Sequence, residues 1–157
     1  MIRRYVSGAP FKILLVEDNP AHAELVVRSV KDHRLEMDIY HAINGEVALD
    51  YLFRRGAYAD IVENPLPHII LLDIRMPKLA GLDVLKEIKQ SELLRHIPTI
   101  ILTTSEAEQD VDQAYKCYVN SYLVKPVDFD EFTQLIDDLA FYWLNWNHLQ
   151  TFADGVL

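Results

Sequence analysis

Four short apolar runs organise the chain, and each one stops on polar groups. Phe11-Lys12-Ile13-Leu14-Leu15-Val16 meets Glu17-Asp18, and His68-Ile69-Ile70-Leu71-Leu72 meets Asp73. Pro98-Thr99-Ile100-Ile101-Leu102 meets Thr103-Thr104-Ser105, and Ser121-Tyr122-Leu123-Val124 meets Lys125-Pro126. The first two, short and rich in leucine and β-branched residues, read as strands buried on both faces, and the other two read as further strands. Met37-Asp38-Ile39-Tyr40-His41-Ala42 alternates instead, the pattern of a half-buried edge strand. Helical spacing fills the intervals. Asn19 caps a helix with Pro20 in its first turn and Ala23, Val26, Val27 and Val30 on one face. Asn44 caps a second, with Leu49, Leu52 and Phe53 inward, and Leu82, Leu85 and Ile88 carry a third. A fourth helix is expected over 106–118 with Val111, Ala114, Tyr115 and Tyr118 as its stripe. The last is expected over 128–147, with Phe132, Ile136, Leu139 and Trp143 aligned. Between Arg54 and Pro67, Gly56, Asn64 and Pro65 mark a long surface connection.

Strands alternating with helices imply right-handed crossovers and a parallel sheet. Five of each make a flavodoxin-like, doubly wound α/β domain with strand order 2-1-3-4-5. It is expected to occupy 11–149, between an arm (1–10) and a tail (150–157). In such sheets ligands bind at the carboxyl ends of the strands. Glu17, Asp18, Asp73, Thr103 and Lys125 all fall there, and that convergence is a stronger signal than any one of them. Three carboxylates at one mouth repel unless a cation joins them, and all-oxygen ligation favours Mg²⁺. The Thr103 hydroxyl and the Lys125 ammonium suit phosphate oxygens. Together these are the parts needed to place a phosphoryl group on an aspartate.

Composition narrows the partners. The net charge of −9 argues against nucleic-acid binding, and no apolar run is long enough for a membrane span. A single cysteine, Cys117, suits a reducing cytoplasm. The six histidines are scattered without ligand spacing and read as structural or surface residues. Aromatics crowd the end of the chain. Phe129, Phe132, Phe141, Tyr142, Trp143, Trp146 and Phe152 lie there, and Phe141, Tyr142 and Trp143 are consecutive, so they cannot all face one core. Phe141, Tyr142, Trp143 and Trp146 are therefore candidates for a homodimer interface through the last helix.

The acidic pair Glu17-Asp18, the stretch Asp73-x-x-Met76-Pro77 with Gly81, then Thr103 and Lys125-Pro126 are in register with a known pattern. From Phe11 to the last helix the sequence resembles the receiver domain of two-component response regulators. The resemblance implies that Asp73 is the phosphoacceptor. It implies that Asp18 and Asp73 bind Mg²⁺, with Glu17 acting through water and Arg75 through its backbone carbonyl. Lys125 and Thr103 would contact the phosphoryl group, Thr103 and Tyr122 would switch with it, and Arg75 and Ser105 would tune its hydrolysis. A cis bond at Lys125-Pro126 is implied as well. The long connection before the central strand and the aromatic tail are similar to small regulators paired with phytochrome kinases. The implied function is a single-domain regulator without an output domain, phosphorylated by a sensor histidine kinase. It is not a turnover enzyme; the alternatives are a phosphate relay or sink, or a degenerate receiver that only binds. A phosphatase-type hydrolase is disfavoured because Arg75 stands where a second acid is needed. A flavin carrier is disfavoured because Glu17-Asp18-Asn19-Pro20 would repel a phosphate.

Overall fold

The computed structural model describes residues 10–32 and 37–148. The expected arm falls outside these apart from Pro10, and the tail falls outside them entirely. Five parallel strands form one sheet in the order β2-β1-β3-β4-β5. They are β1 (Phe11–Val16), β2 (Met37–Ala42), β3 (Ile69–Leu72), β4 (Thr99–Thr103) and β5 (Ser121–Val124). The helices are α1 (Pro20–Lys31), α2 (Gly45–Leu52), α3 (Gly81–Gln90), α4 (Glu108–Lys116) and α5 (Phe129–Phe141). This is the doubly wound arrangement expected from the patterning.

Alternate side chains of each strand enter opposite cores. Leu14, Val16, Ile70, Leu72 and Ile101 pack with Leu49, Leu52, Val84, Leu85 and Ile88 of α2 and α3. On the other face Ile13, Leu15, Ile69, Leu71, Ile100 and Leu102 pack with Ala23, Val26 and Val30 of α1 and with Phe132 and Ile136 of α5. β3 is buried at every position, as an unbroken apolar run in the middle of a parallel sheet requires. β2, at the edge, is mostly half-buried. Asn19 accepts from the Ala21 and His22 amides and Asn44 from that of Val47, so both predicted caps form.

Three expectations change. The α4 stripe is not a core stripe. Ala114 is buried, but Tyr115 and Tyr118 are 54% and 80% exposed. The helix stops at Lys116, and Tyr118 adopts φ 63°, which turns the chain so that Val119 fills the core instead. The last helix runs on from Phe141 to Trp146, but its end is not α-helical. A wider π turn at Tyr142–Trp146 buries Leu144 and Asn145, while Tyr142 and Trp146 stay exposed. Lys125–Pro126 is trans, since no peptide bond among the described residues is cis; trans is the form favoured by about 0.5–1 kcal/mol before proline.

The long connection is pinned by aromatics. Tyr40 stacks on Tyr51 at 4.5 Å, and Tyr58, in a short 3₁₀ turn (Gly56–Tyr58), packs edge-on to both. The Tyr51 hydroxyl donates to the Pro65 carbonyl at 3.0 Å.

One glycine governs the approach of α3 to the site. A Cβ on Gly81 would sit 2.1 Å from the Asp73 carbonyl oxygen and 2.5 Å from Ile74 Cα, both backbone atoms that cannot swing aside. Gly81→Ala is therefore expected to lower stability by about 1–3 kcal/mol or more through overpacking. The measurement is the urea midpoint at constant m-value; an unchanged midpoint would show that the backbone yields freely there.

Candidate functional site

The sheet ladder continues one residue beyond three strands, and those three residues are the chemical ones. The Glu17 amide donates to Ala42 O at 3.1 Å, that of Asp73 to Val16 O at 3.0 Å, and that of Lys125 to Thr103 O at 2.7 Å. Each side chain thus leaves a backbone held by the sheet. Glu17, Asp73 and Lys125 are buried, although all three are ionisable.

Lys125 Nζ lies 2.6 Å from Glu17 Oε2 and 3.0 Å from Asp73 Oδ2. Its third proton goes to His22 Nδ1, 3.0 Å away. An ammonium only donates, so this nitrogen accepts and the His22 proton sits on Nε2. Burial, followed by the Lys125 charge, pushes the His22 pKa below its ordinary value, consistent with a neutral ring. Glu17 is further held by the Asn19 amide, which donates to Oε1 at 3.1 Å. The Arg75 amide donates to Asp73 Oδ1 at 3.0 Å.

One ammonium faces two buried carboxylates, and exposed Asp18 adds a third at the rim. The two buried acids resolve this differently. Burial raises the pKa of Glu17 to about 7, against the opposing effect of Lys125. Burial also acts upward on Asp73, but the Arg75 amide and Lys125 outweigh it and hold that carboxyl below its usual range. Asp73 is the group kept ionised. Glu17, Asp18 and Asp73 each bring a carboxylate oxygen within 4.8 Å of the others. The donor set is all oxygen and carries excess negative charge, so it fits a hard divalent cation.

Thr103 is buried at the end of β4, its Oγ1 accepting from the Ser105 amide at 3.3 Å. The Tyr122 hydroxyl donates to the Ser105 carbonyl at 2.9 Å, which holds that ring half-buried at the edge strand. The Arg75 side chain does not turn toward Asp73. Its Nη2 donates to Asp110 Oδ2 at 2.5 Å and to Ser105 Oγ at 3.3 Å. Of the aromatic candidates, Phe141, Tyr142 and Trp146 are exposed, whereas Trp143 packs half-buried against the α1–α5 core.

Two residues of this region are invisible in the motifs. His22 lies on the first turn of α1, four residues after Asp18, and that position was its only signal. Asp110 is separated from Arg75 by 35 positions and gave none.

Residues 13–137 match the response regulator receiver domain family. The chain is 44% identical over 139 residues to the probable methanogenesis regulatory protein FilR2 of Methanothrix harundinacea, covering 88% of this chain and 86% of that one. It is 36% identical over 138 residues to the response regulator Rcp1 of Synechocystis, covering 88% and 92%. The Mn²⁺-bound form of Rcp1 superposes with a TM-score of 0.85 at 35% identity, over 90% of this chain and 100% of that one. The phosphorylated cyanobacterial phytochrome response regulator RcpA superposes at 0.87 with 33% identity, over 91% and 100%. The chain belongs to the response regulator receiver family.

With the Glu17 pKa raised to about 7, a divalent cation held beside it competes with that proton. Divalent-cation affinity is expected to rise as pH increases toward about 7 and then to level off, with proton release on binding below that point. Calorimetry at several pH values in two buffers of different ionisation enthalpy measures both. Glu17→Gln should flatten the profile across that range, and a wild-type profile already flat from pH 5.5 upward would contradict the assignment.

Proposed function

We propose that Asp73 accepts a phosphoryl group from the phosphohistidine of a sensor histidine kinase and that the change is read out as altered protein contacts. The observation that carries this reading is a buried, ionised Asp73 held 3.0 Å from Lys125 at a mouth shared with two further acids. An Asp73 carboxylate oxygen attacks phosphorus, the phosphorus–nitrogen bond of the donor breaks, and its electron pair stays on the donor histidine. Asp18 and Asp73, with the Arg75 carbonyl and with Glu17 through water, would hold Mg²⁺. The ion supplies charge neutralisation for the phosphoryl oxygens. Lys125, already on Asp73, would follow the added charge, and Thr103 would donate its hydroxyl. Movement of Thr103 draws on the Ser105 amide and hence on Tyr122, whose hydroxyl hangs from the Ser105 carbonyl. The complete set of three acids, Thr103 and Lys125 supports a working receiver over a module that only binds.

The kinase class rests on likeness. The phytochrome response regulator RcpA supports a phytochrome kinase, and the single cysteine suits the cytoplasm, whereas the relative FilR2, a probable methanogenesis regulatory protein, favours a sensor outside light signalling. Phosphotransfer from a purified phytochrome kinase, timed against an unrelated kinase, decides between them. The net charge of −9 supports protein rather than nucleic-acid partners.

Incubation with acetyl phosphate or phosphoramidate and Mg²⁺ should add one phosphoryl group by intact mass. Asp73→Asn should abolish the gain, and chelator should prevent it. Phosphorylation that persists in Asp73→Asn would remove the assignment.

A homodimer belongs to the same reading. Phe141, Tyr142 and Trp146 are 40%, 52% and 61% exposed on one short stretch, and a second copy offers a matching surface. Sedimentation should show a dimer at micromolar concentration, and the double substitution Tyr142→Asp, Trp146→Asp should shift it to monomer. A wild-type monomer with and without phosphorylation would exclude it.

A further inference from the structure

Arg75 lies in the loop that follows Asp73, and its amide bonds the acceptor carboxylate, yet its guanidinium belongs to another element. It pairs with Asp110 in the first turn of α4 at 2.5 Å. Ser105 completes the arrangement. Its Oγ donates to Asp110 at 2.5 Å and accepts from Arg75 Nη2 at 3.3 Å and from the Ala107 amide at 3.3 Å. Its amide donates to Thr103, and its carbonyl takes the Tyr122 hydroxyl. One ion pair therefore ties the loop after β3 to the start of α4, through the residue that also holds Thr103 and Tyr122.

We propose that Asp110 is a positioning residue that competes with the phosphorylated acceptor for Arg75. In the unphosphorylated protein it keeps the guanidinium off Asp73 and holds the first turn of α4 to the β3–α3 loop. The proposal rests on Asp73 being the acceptor. The Arg75 side chain is 60% exposed, so solvent weakens its pair with Asp110 and a stronger anion can win it. A phosphoryl group is such an anion, carrying about two negative charges and bidentate oxygens against the single charge of a carboxylate. Transfer of Arg75 leaves Ser105 and Asp110 without their cation and loosens the α4 start. It also places a guanidinium over phosphorus, on the path of the hydrolytic water. In hydrolysis water attacks phosphorus, the bond to the Asp73 carboxylate oxygen breaks, and carboxylate and inorganic phosphate are released. Asp110 therefore shortens the phosphorylated lifetime by withholding the residue that obstructs this attack.

The test is the first-order loss of phosphoryl mass after donor removal, with Mg²⁺ present, in the full chain. Asp110→Asn should lengthen the lifetime about three- to tenfold, toward the lower end of what coupling between neighbouring residues produces. Asp110→Glu, which keeps the charge, should return it to within twofold of wild type. In an Arg75→Ala background Asp110→Asn should have no effect, a result that a merely structural role for Asp110 would not produce. An Asp110→Asn lifetime equal to wild type overturns the proposal, as does a lengthening of the same size without Arg75. Failure of wild type to take a phosphoryl group from any donor overturns the acceptor assignment and this proposal with it. Wild-type labelling with an unaltered Asp110→Asn lifetime overturns this proposal alone.

Discussion

The site depends on a charge imbalance enclosed by protein. Glu17 and Asp73 are buried opposite a single ammonium, and water cannot screen what remains. Buried ion pairs of this kind are retained at a cost in desolvation and are poor evidence for stability. Here the imbalance has a chemical use. The pKa of Glu17 moves up toward about 7 while that of Asp73 is held down, so the proton that the cluster must accept goes to Glu17 and not to Asp73. Two carboxylates of similar intrinsic acidity are separated by their surroundings, with Asp73 kept ionised, the state that its proposed role as acceptor requires.

The fold imposes that geometry through its backbone. Parallel strands aligned in register bring Glu17, Asp73 and Lys125 to one edge, and a further ladder hydrogen bond fixes each at its own amide. Gly81 lets α3 start against the Asp73 carbonyl, where any side chain would collide with backbone. The two cores on either face hold the sheet rigid while the loops carrying Arg75 and Ser105 remain at the surface. A sheet-held Asp73 beside surface loops is an arrangement that suits the proposed phosphoryl switch.

Ser105 connects the two. A small side chain there accommodates Arg75, Asp110 and the Ala107 amide at once, while its backbone joins Thr103 to Tyr122. Arg75 and Ser105, which read separately as two modifiers of hydrolysis, form one hydrogen-bonded unit.

Periodicity was enough for the strands and for the convergence of acids and lysine on one edge, because a buried parallel strand needs an unbroken apolar run and its end is the first place a charge is tolerated. The strand order came with the doubly wound fold class and not from the period. Asp73, Asp18 and Lys125 were legible for the same reason, whereas Thr103 was singled out from Thr104 and Ser105 only by the family resemblance. Contacts between side chains distant in sequence were not. His22 on Lys125 and Asp110 on Arg75 depend on where helices land, and no local pattern encodes a pairing across 103 or 35 positions. Nor did local spacing foresee that α4 would leave Tyr115 and Tyr118 outside or that a π turn would split the aromatic tail, because helical spacing says which residues share a face and not whether anything covers it. Sequence determined which groups reach the edge; tertiary packing decided which of them are buried, ionised and in contact.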